Sequence, residues 1–182
     1  HGRSFLKYVE AITRSPHASL RPVRQSLSLA QVKRLPVAAL HDRRIVALAT
    51  GQFPEGENVD SIQVNVQIPV ATVDTPANRA IHGLLKRFHQ SLVELQAWAI
   101  KHRTGTSETD VVARCNRRLE ILRTYDAEVR HLLNCHPFRG VKNPQTTAAG
   151  LTQVAANPTY ARAYRSGTED RKSTRLNSSH IT

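Results

Sequence analysis

Val73-Asp74-Thr75-Pro76-Ala77-Asn78-Arg79-Ala80-Ile81-His82-Gly83-Leu84-Leu85 is the stretch whose reading decides the fold. Thr75 can cap a helix by accepting from a first-turn N–H, and Pro76 suits the first helical position, where no donor is needed. Asp74 lies beside the positive helix end. Ile81, Leu84, Leu85, Phe88, Leu92, Leu95 and Trp98 then recur at helical spacing, with Lys86, Arg87, Gln90 and Glu94 largely off that stripe. The spacing predicts a helix over about 76–101, broken at Thr104-Gly105.

Downstream, Ser107 with Asp110 three residues on resembles a capping box with Asp in the usual Glu place. A second helix follows over about 108–135, carried by Val112, Cys115, Leu119, Leu122, Tyr125, Val129 and Leu132. The short connection predicts an antiparallel hairpin whose two apolar stripes, matched in length, bury one another. Pro137 ends the second helix. Ala148 to Ala156 reads as a short helix, and another begins near Thr159 with Tyr160 and Tyr164 on one face.

Upstream, Ile62, Val64, Val66 and Ile68 alternate with Gln63, Asn65 and Gln67, the period of a strand with one buried face. Pro69 confines this strand, about 62–68, to a sheet edge or ends it. Residues 50–60 read as loop from their Gly, Pro and Asn content. Pro36 fits the first turn of a helix through Leu48, residues 17–35 read as extended, and Phe5, Leu6, Val9 and Ile12 mark a short amphipathic helix over 4–14. The expected fold is mainly α with a minor β element: a long helical hairpin, an edge strand and short flanking helices, together an incomplete domain. Its organisation reads as a basic N-terminal part, 1–60, and a strand-plus-hairpin region, 61–169.

Residues 170–182 stand apart. Asp170-Arg171-Lys172-Ser173-Thr174-Arg175-Leu176-Asn177-Ser178-Ser179-His180-Ile181-Thr182 equals the in-frame translation of a nucleotide string that resembles a common short-read sequencing adapter. They read as an artefactual disordered tail, poor in large apolar residues. The chain has no methionine and begins at His1, so it reads as a piece of a longer frame.

The whole chain carries 26 Lys+Arg against 14 Asp+Glu. Setting aside the three basic and one acidic residues of the tail leaves 23 against 13, a net charge of +10. That excess favours a polyanionic partner such as DNA through counterion release, and it equally describes a solvated Arg-rich surface. Four Phe, four Tyr and Trp98 are too scattered to form a base-stacking platform. No 18-residue apolar run is present, so no membrane span is expected. Cys115 and Cys135 fall about 30 Å apart along one predicted helix and cannot pair within it, which points to a reducing, cytoplasmic setting.

No catalytic or metal constellation stands out. His82 and His89 are two helical turns apart, about 10.5 Å, too far for one ion without further ligands. His131 and Cys135, i and i+4, lack a second ligand pair. Asp170-x-Lys172 imitates half of a nuclease motif but lies in the adapter-like tail. No P-loop, no G-x-S-x-G and no Cys/His dyad at a recognisable spacing occurs. Asn78 and Arg79, beside backbone N–H groups of a helix start, fit either phosphate binding or a purely structural role.

Asp74-Thr75-Pro76-Ala77-Asn78-Arg79 followed by Ala80-Ile81-His82-Gly83-Leu84-Leu85 resembles the D-T-P-E-N-R signature of McrC-like restriction proteins. The likeness is closest to a bacterial domain of unknown function that precedes a PD-(D/E)xK nuclease domain. It covers roughly 65–166, with Leu132-Leu133, His136-Pro137-Phe138, Leu151 to Val154 and Asn157-Pro158-Thr159-Tyr160 in the expected order. Ala77 stands where the signature has Glu. The resemblance implies a non-catalytic, DNA-contacting helical region of a restriction endonuclease, with Mg²⁺ expected only for a nuclease domain beyond it. It also implies an alternative: a module that docks a McrB-like AAA+ motor without touching DNA. Asp74, Thr75, Pro76, Asn78 and Arg79 are the motif residues, for phosphate or for structure.

Overall fold

Apolar periodicity becomes helix over most of the chain, as expected for a mainly α protein with a minor β element. The computed structural model describes residues 2–54, 56–105 and 107–178, with side chains up to Glu169. The order is α1 (Gly2–Arg14), β1 (Ser19–Ser28), α2 (Arg43–Ala49), β2 (Gln63–Thr72), α3 (Pro76–Thr104), α4 (Thr109–Asn134), α5 (Ala148–Ala156) and α6 (Pro158–Ser178), with short 3-10 turns between. The reading of 170–182 as an unpacked tail concerns the side chains of 170–178 and residues 179–182, which lie outside those described. The chain divides into two compact units, residues 1–18 with 73–182, and 19–72. That grouping differs from a cut near residue 60, because the strand after it pairs backward with β1 rather than joining the hairpin.

The helical unit is built on α3 and α4, which form the expected antiparallel hairpin. Thr75 caps α3 and Pro76 occupies its first turn. Phe5, Leu6, Val9 and Ile12 of α1 are each fully buried, packed in one core with Ile81, Leu84, Leu85 and Leu92 of α3, Val129 and Leu132 of α4, Phe138, Val154, Tyr160 and Ala163. At about 1.5–3 kcal/mol for each large side chain removed from water, α1 is integral to this core, not an appendage. α1 lies against α6, where Gly167 comes so close that an added Cβ would sit 2.9 Å from the Phe5 ring.

Two hairpin expectations need correction. α4 starts at Thr109 with Glu108 in the N-cap position, so Ser107 and Asp110 do not frame its first turn as a capping box. The stripes also fail to bury one another along their full length. The common core reaches only to Leu92 on α3 and Leu122 on α4. Beyond it Ala99, Cys115 and Leu119 are buried, while Leu95 and Trp98 remain more than a third exposed. Arg114, Arg118 and the small Cys115, which face them from α4, supply too little apolar surface to cover them.

The unit 19–72 is an antiparallel two-stranded ribbon with a small core of Ile45, Ile62 and Val64, against which Leu29, Val32, Ala39, Phe53 and Val66 pack. Leu27 faces Val64 and Val23 faces Ile68 on its apolar side. The strand expected over 62–68 runs through Pro69 to Thr72, because Pro22 stands directly opposite Pro69. Two facing residues without N–H groups fit an antiparallel ladder where no bond is exchanged. The helix expected over 36–48 is two pieces, a 3-10 turn Val37–His41 and then α2. Asp42 divides them by accepting the Arg44 N–H at 2.9 Å, ending one helix and capping the next.

Candidate functional site

The start of α3 is a closed polar knot. Asn78 is fully buried, and its side-chain amide donates to the carbonyls of Val73 at 2.6 Å and His17 at 2.8 Å. Its Oδ1 accepts from the Tyr160 hydroxyl, which in turn accepts the His17 N–H at 2.7 Å. Burial pushes the Tyr160 hydroxyl up to about 12, so it stays a donor. One side chain thus ties the turn after α1, the entry to α3 and the first turn of α6. The Ala77 N–H goes to Gln153 Oε1 of α5 at 3.1 Å, the Asn78 N–H to Thr75 Oγ1 at 3.4 Å, and the Arg79 N–H to the Thr75 carbonyl at 2.9 Å. With Pro76 lacking a donor, a phosphate reaching this helix end has to displace a protein partner.

Asp74 and Arg79 face outward beside this knot, 20% and 36% exposed at the side chain, and form a bidentate pair with both N···O distances 2.8 Å. Arg79 holds the Asp74 carboxyl below its usual range, chiefly by hydrogen bonding and then by charge, with help from the Lys142 backbone N–H and its charge. A depressed carboxylate pKa stabilises the fold above about pH 4 and loses that contribution as pH falls through the lowered value. Solvent screening keeps it small: a double-mutant cycle of Asp74→Asn and Arg79→Gln is expected to give a coupling of about 0.5–1 kcal/mol at neutral pH, weakening as pH falls through the lowered carboxylate value. A coupling that stays constant once the Asp74 carboxyl is protonated would refute the pair as its source.

The second feature is the distal half of the hairpin, which presents different surfaces on its two sides. One is a polar groove of about 410 Å³ lined by Arg103, Ala113, Asn116, Arg117, Leu119, Glu120 and Arg123. Arg117 and Arg123 form no ion pair among the described residues, and Arg103 donates to Asn116 Oδ1 at 3.3 Å. On the other side an apolar depression of about 220 Å³ is lined by Leu95, Trp98, Ala99, Arg118, Ile121 and Leu122.

A family model described as "Domain of unknown function (DUF2357)" matches residues 1–166. The chain belongs to this family. No curated protein and no solved structure matches it. The DUF2357 match takes in β1 and β2 as well as the whole hairpin, a wider span than the 65–166 that carried the D-T-P-x-N-R likeness.

Within this DUF2357 chain His82 serves packing. His82 is buried against Phe138, ring centroids 5.9 Å apart, with no partner on its Nδ1 among the described residues. Burial, and secondarily the Lys86 charge, pushes it down to about 4. A histidine whose folded pKa lies below its unfolded 6.5 destabilises the fold when protonated, so stability falls as pH drops from 6.5 and the full loss is reached below about 4. We expect about 3 kcal/mol to be lost over that window and His82→Leu to remove most of this slope, read from urea midpoints at pH 7, 5 and 4. His89 lies instead 3.0 Å from the buried Asp126, which Arg130 also pairs at 2.6 Å, linking α3 to α4. Cys135, just past α4, has its Sγ 3.5 Å from His131 Nε2. Among the described residues no three His, Cys, Asp or Glu side chains converge to hold a metal. No described helix is long and apolar enough to cross a membrane.

Sequence reading singled out Asp74, Thr75, Pro76, Asn78 and Arg79, and the fold does bring them together. It missed Tyr160, His17 and Gln153 as their partners, and Arg103, Arg117 and Arg123 as one groove. The only signal for the groove was the spacing of Arg117 and Arg123 on one helix.

Proposed function

We propose that this DUF2357 chain is a non-catalytic helical region that contacts DNA within a McrC-like restriction endonuclease. The observation that carries the reading is the groove of Arg103, Arg117 and Arg123 on the distal part of the hairpin, with cationic heads free of ion pairs among the described residues. Phosphate contact is the ordinary use of such arginines, and the chain's net charge of +12 raises local DNA concentration. Glu120 in the same groove disfavours a continuous phosphate track and favours discrete contacts. The tie to restriction nucleases rests on the D-T-P-x-N-R resemblance, and the Mg²⁺ chemistry it implies belongs to a nuclease domain of the parent protein.

Titration of a DNA duplex at several salt concentrations tests the contact. Binding should fall with a linear log K against log salt, and changing Arg103, Arg117 and Arg123 together to Gln should reduce the slope by about 2–3. A flat salt dependence, or a slope unchanged in the triple variant, rejects this groove as the DNA site. Docking of a McrB-like AAA+ motor is the competing reading, favoured by the apolar depression on the hairpin's other side.

A further inference from the structure

The apolar side of the distal hairpin has a composition that selects its occupant. Trp98 and Leu95 from α3 and Ile121 from α4 stand 38%, 39% and 54% exposed around a depression of about 220 Å³. A second depression of about 170 Å³ adjoins it, lined by Trp98, His102, Val111, Arg114, Cys115 and Arg118, with the Trp98 and His102 rings 4.1 Å apart. Together they make a shallow groove along the two helices with Trp98 at its middle. Arg114 and Arg118, one turn apart on α4, are exposed and without ion pairs among the described residues, and no acidic side chain lines either depression. None of these residues lines the Arg103–Arg117–Arg123 groove, which lies about half a turn away around α4.

We propose that this groove binds an acidic amphipathic helix of another protein. Large apolar side chains spaced i and i+4 seat against Leu95, Trp98 and Ile121, while Asp or Glu on the flank of that helix pairs with Arg114 and Arg118. An apolar floor beside unpaired guanidinium groups selects an occupant with the opposite charge on its rim, the helix-in-groove mode of recognition. Trp and Arg are the residue types that most often carry such interfaces. A second copy of this chain is a poor occupant, because a symmetric pairing sets Arg114 and Arg118 against their own equivalents. A small-molecule cofactor is a poor one too, since the depressions are smaller than ordinary ligand pockets and open.

Trp98 is the chain's sole tryptophan and reports occupancy directly. The full chain is titrated with a synthetic Trp-free helical peptide carrying Leu at i, i+4 and Glu along one flank, with a scrambled peptide of the same composition, and with a single-stranded oligonucleotide. The amphipathic peptide is expected to blue-shift Trp98 emission saturably, and Arg118→Glu to weaken it at least tenfold with unchanged thermal stability. A peptide with Lys in place of Glu should recover binding to Arg118→Glu. An equal response to the scrambled peptide, or no shift with the amphipathic one, overturns the proposal. So does quenching by the oligonucleotide that excludes the peptide, since the groove then stacks bases. Self-association that Arg118→Glu strengthens overturns it as well, because the groove then takes a second copy.

Discussion

Asn78→Ala is expected to cost the helical unit about 3–5 kcal/mol, lowering its Tm by roughly 10 °C or more. The side chain makes three hydrogen bonds at a fully buried position. Truncation leaves the Val73 and His17 carbonyls and the Tyr160 hydroxyl without it, in a space too enclosed for solvent to repair cheaply. A buried polar group that loses its partner costs about 1–3 kcal/mol, and the losses overlap because the Tyr160 hydroxyl still has the His17 N–H. Two further variants separate polar pairing from packing. Asn78→Asp keeps the shape and the acceptor for Tyr160 but cannot donate to either carbonyl, so it should be at least as damaging as alanine at neutral pH. Tyr160→Phe removes a single hydroxyl and should cost about 1–2 kcal/mol. Chemical denaturation of the three variants gives the ranking; an Asn78→Ala chain within 1 kcal/mol of the parent shows that the knot contributes little.

Gly150→Ala is the second large effect, and here two terms oppose each other. Gly150 lies in the first turn of α5, where its N–H donates to Thr147 Oγ1 at 3.1 Å. On helix propensity alone alanine gains about 1 kcal/mol. An added Cβ, however, would meet the Pro76 carbonyl oxygen at 2.8 Å. That oxygen is backbone in the first turn of α3 and cannot swing aside as a side chain does. Relief requires moving α5 off α3, which breaks the Ala77 N–H to Gln153 bond at 3.1 Å. Overpacking of this kind typically costs 1–3 kcal/mol, and with the lost bond the net expectation is about 2 kcal/mol destabilising. Gly105→Ala is the control: its nearest contact is an ordinary 3.4 Å and the residue has helical φ, so a change within about 0.5 kcal/mol is expected. Equal effects of the two substitutions in a thermal melt would dismiss the close approach as the cause.

The hairpin, its antiparallel sense and the start of α3 were legible because each is set locally. Thr75 and Pro76 act within one turn, and an apolar stripe identifies a buried face from spacing alone. Asp42 shows where the same kind of reading stopped short. Its capping of Arg44 is a two-residue event, yet the apolar pattern from Val37 to Leu48 ran across it as if one helix continued. The extent of β2 was hidden for another reason, since whether Pro69 ends a strand depends on what stands opposite. Pro22 stands there, 47 positions earlier in the chain.

For the site, the sequence by itself determined that Asp74 to Arg79 mark a helix start, that two long helices follow, and that positive charge exceeds negative over the chain as a whole. Tertiary structure decided what those residues do. It brought Tyr160 and His17 onto Asn78 from 82 and 61 positions away, turning a motif with two possible roles into a knot that consumes the helix-end donors. It also decided how far the core extends along the hairpin. Periodicity names the apolar face of a helix but carries no record of where its covering partners end, and here they end near Leu92 and Leu122. Trp98 and its neighbours, identical in pattern to the core residues before them, are left at the surface for that reason.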